Sequence, residues 1–134
     1  MQPEARRRCA LVFGGTGLVG SAVVRELARR GIAVTFTYLS AADKARELAA
    51  ALGCRAVRVD LGDAAATTSF FTELAAAEFY PDVFIHCAAV SRLLPLPEIT
   101  LEVWQRTMAV NAQSAFLTCQ WLADRMPAGS NIVL

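Results

Sequence analysis

The chain has 134 residues, 55% of them hydrophobic and 19% charged, with a formal net charge of +1. This is the size of one domain, too apolar to stay disordered and too nearly neutral to present a nucleic-acid-binding face. No apolar run approaches the roughly 20 residues of a membrane span, and the N-terminal apolar stretch is too short for a signal peptide.

Four cysteines, Cys9, Cys54, Cys87 and Cys119, sit in apolar contexts without a Cys-x-x-Cys pair. They are expected to be buried thiols of a cytoplasmic protein, neither disulfides nor zinc ligands. His86 is the single histidine, and no metal site is expected around it. Arg6-Arg7-Arg8 is expected to be a solvated lead-in to the first strand.

Cys9–Phe13 is a short apolar run without alternation, the mark of a strand covered on both faces. Glycines follow, then a helical pattern to Arg30 with Val23, Val24, Leu27 and Ala28 on one side, and Gly31 suits its C-terminal stop. Ile32–Tyr38 is rich in β-branched and aromatic residues and predicts a second strand. Ala41–Leu52 predicts a helix, Arg55–Val59 a third strand, and Asp63 the cap of a helix over 64–79. Val83–Cys87 predicts a fourth strand and Arg92–Pro97 a loop. A long helix is expected from Thr100 to about Met126, a turn at 127–130, and a fifth strand from Asn131 to Leu134. Such alternation implies right-handed βαβ crossovers and a doubly wound parallel sheet of the Rossmann type. The expected order is 3-2-1-4-5, with the switch point between strands one and four. Ile132, Val133 and Leu134 would then stand at an open apolar edge, which implies that more polypeptide follows or that a second chain completes it.

The chemistry is concentrated in Gly14-Gly15-Thr16-Gly17-Leu18-Val19-Gly20, between a strand and a helix. Glycines at 14, 17 and 20 allow a tight turn and the close approach of a pyrophosphate to the free N–H groups of the helix start. Gly14, Thr16, Gly17, Leu18 and Val19 are the candidates for that contact, and a dinucleotide is the expected ligand. An acid that would hold the ribose hydroxyl of NAD(H) belongs about 20 residues on, at the end of the second strand. Tyr38-Leu39-Ser40-Ala41 has none. Ser40, with Lys44 within reach, suits the extra phosphate of NADP(H), which is therefore favoured over NAD(H). Asp43 fits the first turn of the following helix.

Together these features closely resemble the short-chain dehydrogenase/reductase family over essentially the whole chain. The loop Val12–Gly20 resembles the family's cofactor loop. Val59-Asp60-Leu61 resembles its adenine-contacting segment, which implies that Asp60 and Leu61 flank the adenine, with the acid at its amino group. His86-Cys87-Ala88-Ala89 stands where the family carries Asn-Asn-Ala-Gly, which implies that Ala88 and Ala89 lie along the cofactor, while His86 reads as a packed strand histidine. Met108-Ala109-Val110-Asn111 and Phe116-Leu117 match the family's long helix. Asn111 then corresponds to the active-site asparagine that supports the proton relay. The resemblance also implies that the helix around 101–126 builds a homo-oligomer, with Trp104, Phe116, Trp121 and Leu122 in the core or the subunit interface.

Two departures from the family pattern stand out. The glycine spacing and His-Cys-Ala-Ala resemble the extended branch, which includes nucleotide-sugar epimerases and dehydratases, whereas the segment after Asn111 resembles the single-domain reductases. The family's catalytic serine and Tyr-x-x-x-Lys are not present, and neither Tyr38 nor Tyr80 has a lysine four residues on. The resemblance thus implies a partial domain, 1–134, that binds NAD(P)H for a longer oxidoreductase moving hydride between nicotinamide and a small carbonyl or secondary alcohol. By itself it would be inactive. The alternatives are an extended-branch epimerase or dehydratase and a non-catalytic NADP-binding subunit.

Overall fold

The computed structural model describes residues 6–134; the first five positions of the expected domain lie outside them. Five strands form one parallel sheet: β1 (Cys9–Phe13), β2 (Ala33–Tyr38), β3 (Arg55–Arg58), β4 (Val83–His86) and β5 (Asn131–Val133). Their order is β3-β2-β1-β4-β5, so the chain reverses its direction of travel across the sheet between β1 and β4. The helices α1 (Leu18–Arg29), α2 (Ala42–Leu52), α3 (Ala64–Ala76), α4 (Leu101–Met108) and α5 (Ser114–Leu122) connect them.

Strand alternation divides β1 between two cores. Leu11 and Phe13 face one side with Phe70, Phe71 and Leu74 of α3, Phe84 of β4 and Leu122 of α5. Val12 faces the other side with Val24 of α1, Phe36 of β2, and Ala45 and Leu48 of α2. A central strand covered twice needs side chains of both parities apolar, and this is the origin of its unbroken hydrophobic run. Asp63 caps α3 by accepting from Ala65 N–H (2.8 Å) and Ala66 N–H (3.2 Å). Thr100 caps α4 through Val103 N–H.

Several expectations need correction. The expected single helix 100–126 is α4, a π-helical turn at Ala109–Gln113, and α5, which stops at Leu122. At the turn, Ser114 N–H reaches back five residues to the Ala109 carbonyl. The helix pattern over 64–79 stops at Ala76, and the loop at 92–97 runs into a short 3₁₀ turn, Leu96–Glu98. The cysteines are half-buried rather than buried. Trp121 does pack in the core, stacked on Phe71 at 5.0 Å, and Leu122 is fully buried. Trp104 and Phe116, in contrast, are 57% and 62% exposed. The arginine lead-in is not merely solvated: Arg6 donates to the buried Asp82, whose other oxygen accepts from Cys9 N–H at 2.8 Å. Ile132, Val133 and Leu134 are exposed, as expected. Among the described residues no helix is long and apolar enough to cross a membrane.

Candidate cofactor site

At the C-terminal ends of the strands, the loops after β1 and β4 diverge around a cleft of about 220 Å³. Doubly wound sheets bind ligands at such a switch point. The cleft's first wall is the glycine loop. Gly14 takes φ +75°, and a Cβ there would come within 2.7 Å of the Ala88 backbone. Gly14 N–H donates to Thr37 Oγ1 (3.2 Å) and Gly15 N–H to the Thr37 carbonyl (2.9 Å), which ties the loop to β2. A Cβ on Gly20 would strike the Gly14 carbonyl, so Gly20 brings α1 close under the loop.

Gly17 is different. Its φ is an ordinary −66°, and a Cβ would meet only the Gly14 carbonyl at a relaxed 3.4 Å. Neither packing nor backbone conformation demands glycine there. Gly17 is also the N-cap of α1, with no side-chain cap and no acid in the first turn. The N–H groups of that turn need an acceptor, and the bare backbone beside them leaves room for one. A pyrophosphate fits both requirements.

Of the residues singled out in the sequence, Gly14, Thr16, Gly17, Ser40, Asp60, Leu61, Ala88 and Ala89 all line the cleft. Leu18 and Val19 do not line it, and their side chains are exposed. Lys44 is also outside the lining. A second cation, Arg58, stands beside the end of β2, its Nε donating to the Leu39 carbonyl at 2.9 Å, and it too lies outside the lining.

Asn111 lies in the π-helical turn, outside the lining. Its Oδ1 accepts from Val90 N–H (2.8 Å) and its Nδ2 donates to the Val90 carbonyl (2.9 Å). Both amide ends therefore clamp the loop after β4. His86 is a packed strand residue, edge-on to Phe13 and Phe84. Its Nε2 is 2.8 Å from Ser114 Oγ. That hydroxyl gives its one proton to the Val110 carbonyl at 2.6 Å, so Nε2 is the donor and the neutral ring carries its hydrogen there. Burial holds the His86 pKa below its ordinary value.

Thr37, Val90 and Arg106 also line the cleft, although no motif in the sequence marks them. Arg106 is the consequential omission: its Nη2 lies 2.8 Å from Asp60 Oδ1.

A family model described as enoyl-(acyl carrier protein) reductase matches residues 17–134. This chain belongs to the short-chain dehydrogenase/reductase family. It is 33% identical over 124 residues to D-threitol dehydrogenase of Mycolicibacterium smegmatis, covering 89% of this chain and 47% of that one. A short-chain dehydrogenase/reductase from Serratia marcescens superposes with a TM-score of 0.86 at 33% identity, over 93% of this chain and 53% of the other. A short chain dehydrogenase from Burkholderia cenocepacia, solved in complex with NADP, gives a TM-score of 0.83 at 30% identity, over 94% and 53%. The chain thus spans about half the length of these short-chain dehydrogenase/reductase relatives.

Proposed function

We propose that this chain is the cofactor-binding part of an oxidoreductase that exchanges hydride between a nicotinamide dinucleotide and a small carbonyl or secondary alcohol, with NADP(H) preferred. The observation that carries the reading is the uncapped start of α1 beside a glycine, Gly17, that packing does not require. Gly14, Thr16 and Gly17, with the backbone at Leu18 and Val19, hold the pyrophosphate. Ser40 and Arg58 take the 2′-phosphate, a reading supported by the missing acid at the end of β2 and by NADP in the Burkholderia relative. Asp60 and Leu61 flank the adenine, and Ala88 and Ala89 leave space along the ribose. When bound, the nicotinamide supplies or accepts the hydride; the protein positions it.

Asn111 supports the proton relay of the whole enzyme by fixing the Val90 loop through two hydrogen bonds. The 134 residues contain no Tyr-x-x-x-Lys, so alone they are expected to bind cofactor without turning over a carbonyl. Four thiols without disulfides suit the reducing cytoplasm, where we place the protein. The exposed apolar stripe of α4 and α5 is proposed to pair with a second copy.

Titrating the chain with NADPH and NADH, read by nicotinamide fluorescence, tests this function. NADPH should bind more tightly by at least about tenfold, the scale of one lost charge-assisted contact. Ser40→Asp should shift preference toward NADH, because a carboxylate repels the 2′-phosphate and accepts from a ribose hydroxyl. Absence of saturable binding of either dinucleotide at millimolar concentration overturns the reading.

A further inference from the structure

Arg106 reaches from α4 toward the loop after β3, and it and Asp60 both line the cleft. Its Nη2 is 2.8 Å from Asp60 Oδ1, and that same oxygen accepts from Gly62 N–H at 2.9 Å. Both contacts fall on Oδ1, which leaves Oδ2 as the carboxylate's remaining acceptor.

Gly62 explains how the guanidinium is seated. It is not among the glycines with positive φ, so its backbone accepts any residue. A Cβ there would nevertheless overlap Arg106 Nη1 and Cζ. The absence of a side chain at 62 serves the room that Arg106 occupies. Asp60 and Gly62, both in the loop after β3, therefore seat the α4 guanidinium against one carboxylate oxygen.

We propose that Arg106 is a positioning residue for the adenine end of the cofactor: it holds Oδ1 of Asp60, so that Oδ2 accepts from the exocyclic amino group, and the site thereby selects an amino-bearing purine. The proposal rests on the dinucleotide-binding function argued above. Arg106 also holds the Asp60 carboxyl below the usual carboxylate range. Because the side chains of the pair are 40% and 38% exposed, their contribution to global stability is small. Their geometry therefore serves the cleft more than the fold.

The test uses the full chain and two ligands, NADPH and its hypoxanthine counterpart, in which an oxo group replaces the amino group. The wild type should prefer NADPH by about fivefold, the scale of one hydrogen bond. Arg106→Gln should abolish that preference while leaving affinity for the hypoxanthine dinucleotide unchanged. Gly62→Ala, which evicts the guanidinium by a different route, should do the same and add nothing in the Arg106→Gln background. A purely structural role would weaken both ligands alike, and that outcome overturns the proposal, as does a preference that survives Arg106→Gln. A wild type that binds NADPH without preferring it also overturns this proposal but leaves the proposed function standing. A wild type that binds neither dinucleotide overturns both.

Discussion

Among single residues, the glycines of the loop after β1 separate into two kinds, and their substitutions should separate with them. Gly14 is structural: alanine there would be forced to φ +75° and against the Ala88 backbone. Gly14→Ala should destabilise the fold by about 2 kcal/mol or more in urea unfolding, the scale of one strained backbone position. Gly17 has ordinary dihedrals and open space around its missing Cβ. Gly17→Ala should leave stability within about 0.5 kcal/mol of wild type, yet weaken NADPH at least about tenfold in the same fluorescence titration, because the methyl would fill the place proposed for the pyrophosphate. Loss of stability without loss of binding would reverse these roles. The sequence spacing did not separate Gly14 from Gly17. It could not show that Gly15 lies against the Phe36 ring, since that neighbour comes from β2, two elements away. Asp60 was legible as a cleft residue, but its partner was not: Arg106 lies 46 positions later, and no local pattern records an ion pair across that distance.

At the scale of elements, the inner strands β1 and β2 were legible in composition because they are covered on both faces. Element ends were less legible where tertiary contacts decide them. The π-helical turn at Ala109–Gln113 is the clearest case: its sequence, Ala-Val-Asn-Ala-Gln, is unremarkable for an α-helix. The turn is held from outside, by Asn111 on Val90 and by His86 through Ser114 on the Val110 carbonyl. π-turns commonly mark functional positions, and this one joins the cleft loop to β4. The link titrates. Burial lowers the His86 pKa from its ordinary 6.5, so the folded chain binds fewer protons than the unfolded chain just below that pH. Its contribution to stability is complete above about pH 6.5, declines as the pH falls through the window below it, and stops changing under the folded-state pKa. His86 is the chain's single histidine, so denaturant midpoints should fall between about pH 7 and pH 5 in wild type. His86→Gln, which keeps an amide donor and does not titrate, should flatten that slope. An unchanged slope would place the acid sensitivity elsewhere.

For the whole molecule, the unresolved balance is between the covered and the uncovered faces of the sheet sandwich. The core side of α5 buries Ser114, Ala115, Thr118 and Leu122, while Leu101, Trp104, Met108 and Phe116 remain exposed along α4 and α5. The first three are spaced three and four residues apart, as one helical face requires. Phe116 comes eight positions after Met108. Two α-helical turns take about seven residues, and the π-helical turn absorbs the additional one, which returns Phe116 to the exposed side. We propose that these exposed apolar side chains form an association surface. A second copy is the occupant we expect, because a stripe on a helix can pair with its own two-fold image. Aromatic residues near the centre of such a patch carry most of the binding energy. Trp104→Glu combined with Phe116→Glu should therefore convert a dimer to a monomer in sedimentation velocity, while urea midpoints extrapolated to monomer conditions stay close to wild type, since neither side chain belongs to the buried clusters. NADPH affinity should persist in the monomer, because neither Trp104 nor Phe116 lines the cleft. A wild type that sediments as a monomer at all concentrations would remove the self-association while leaving the cofactor site intact.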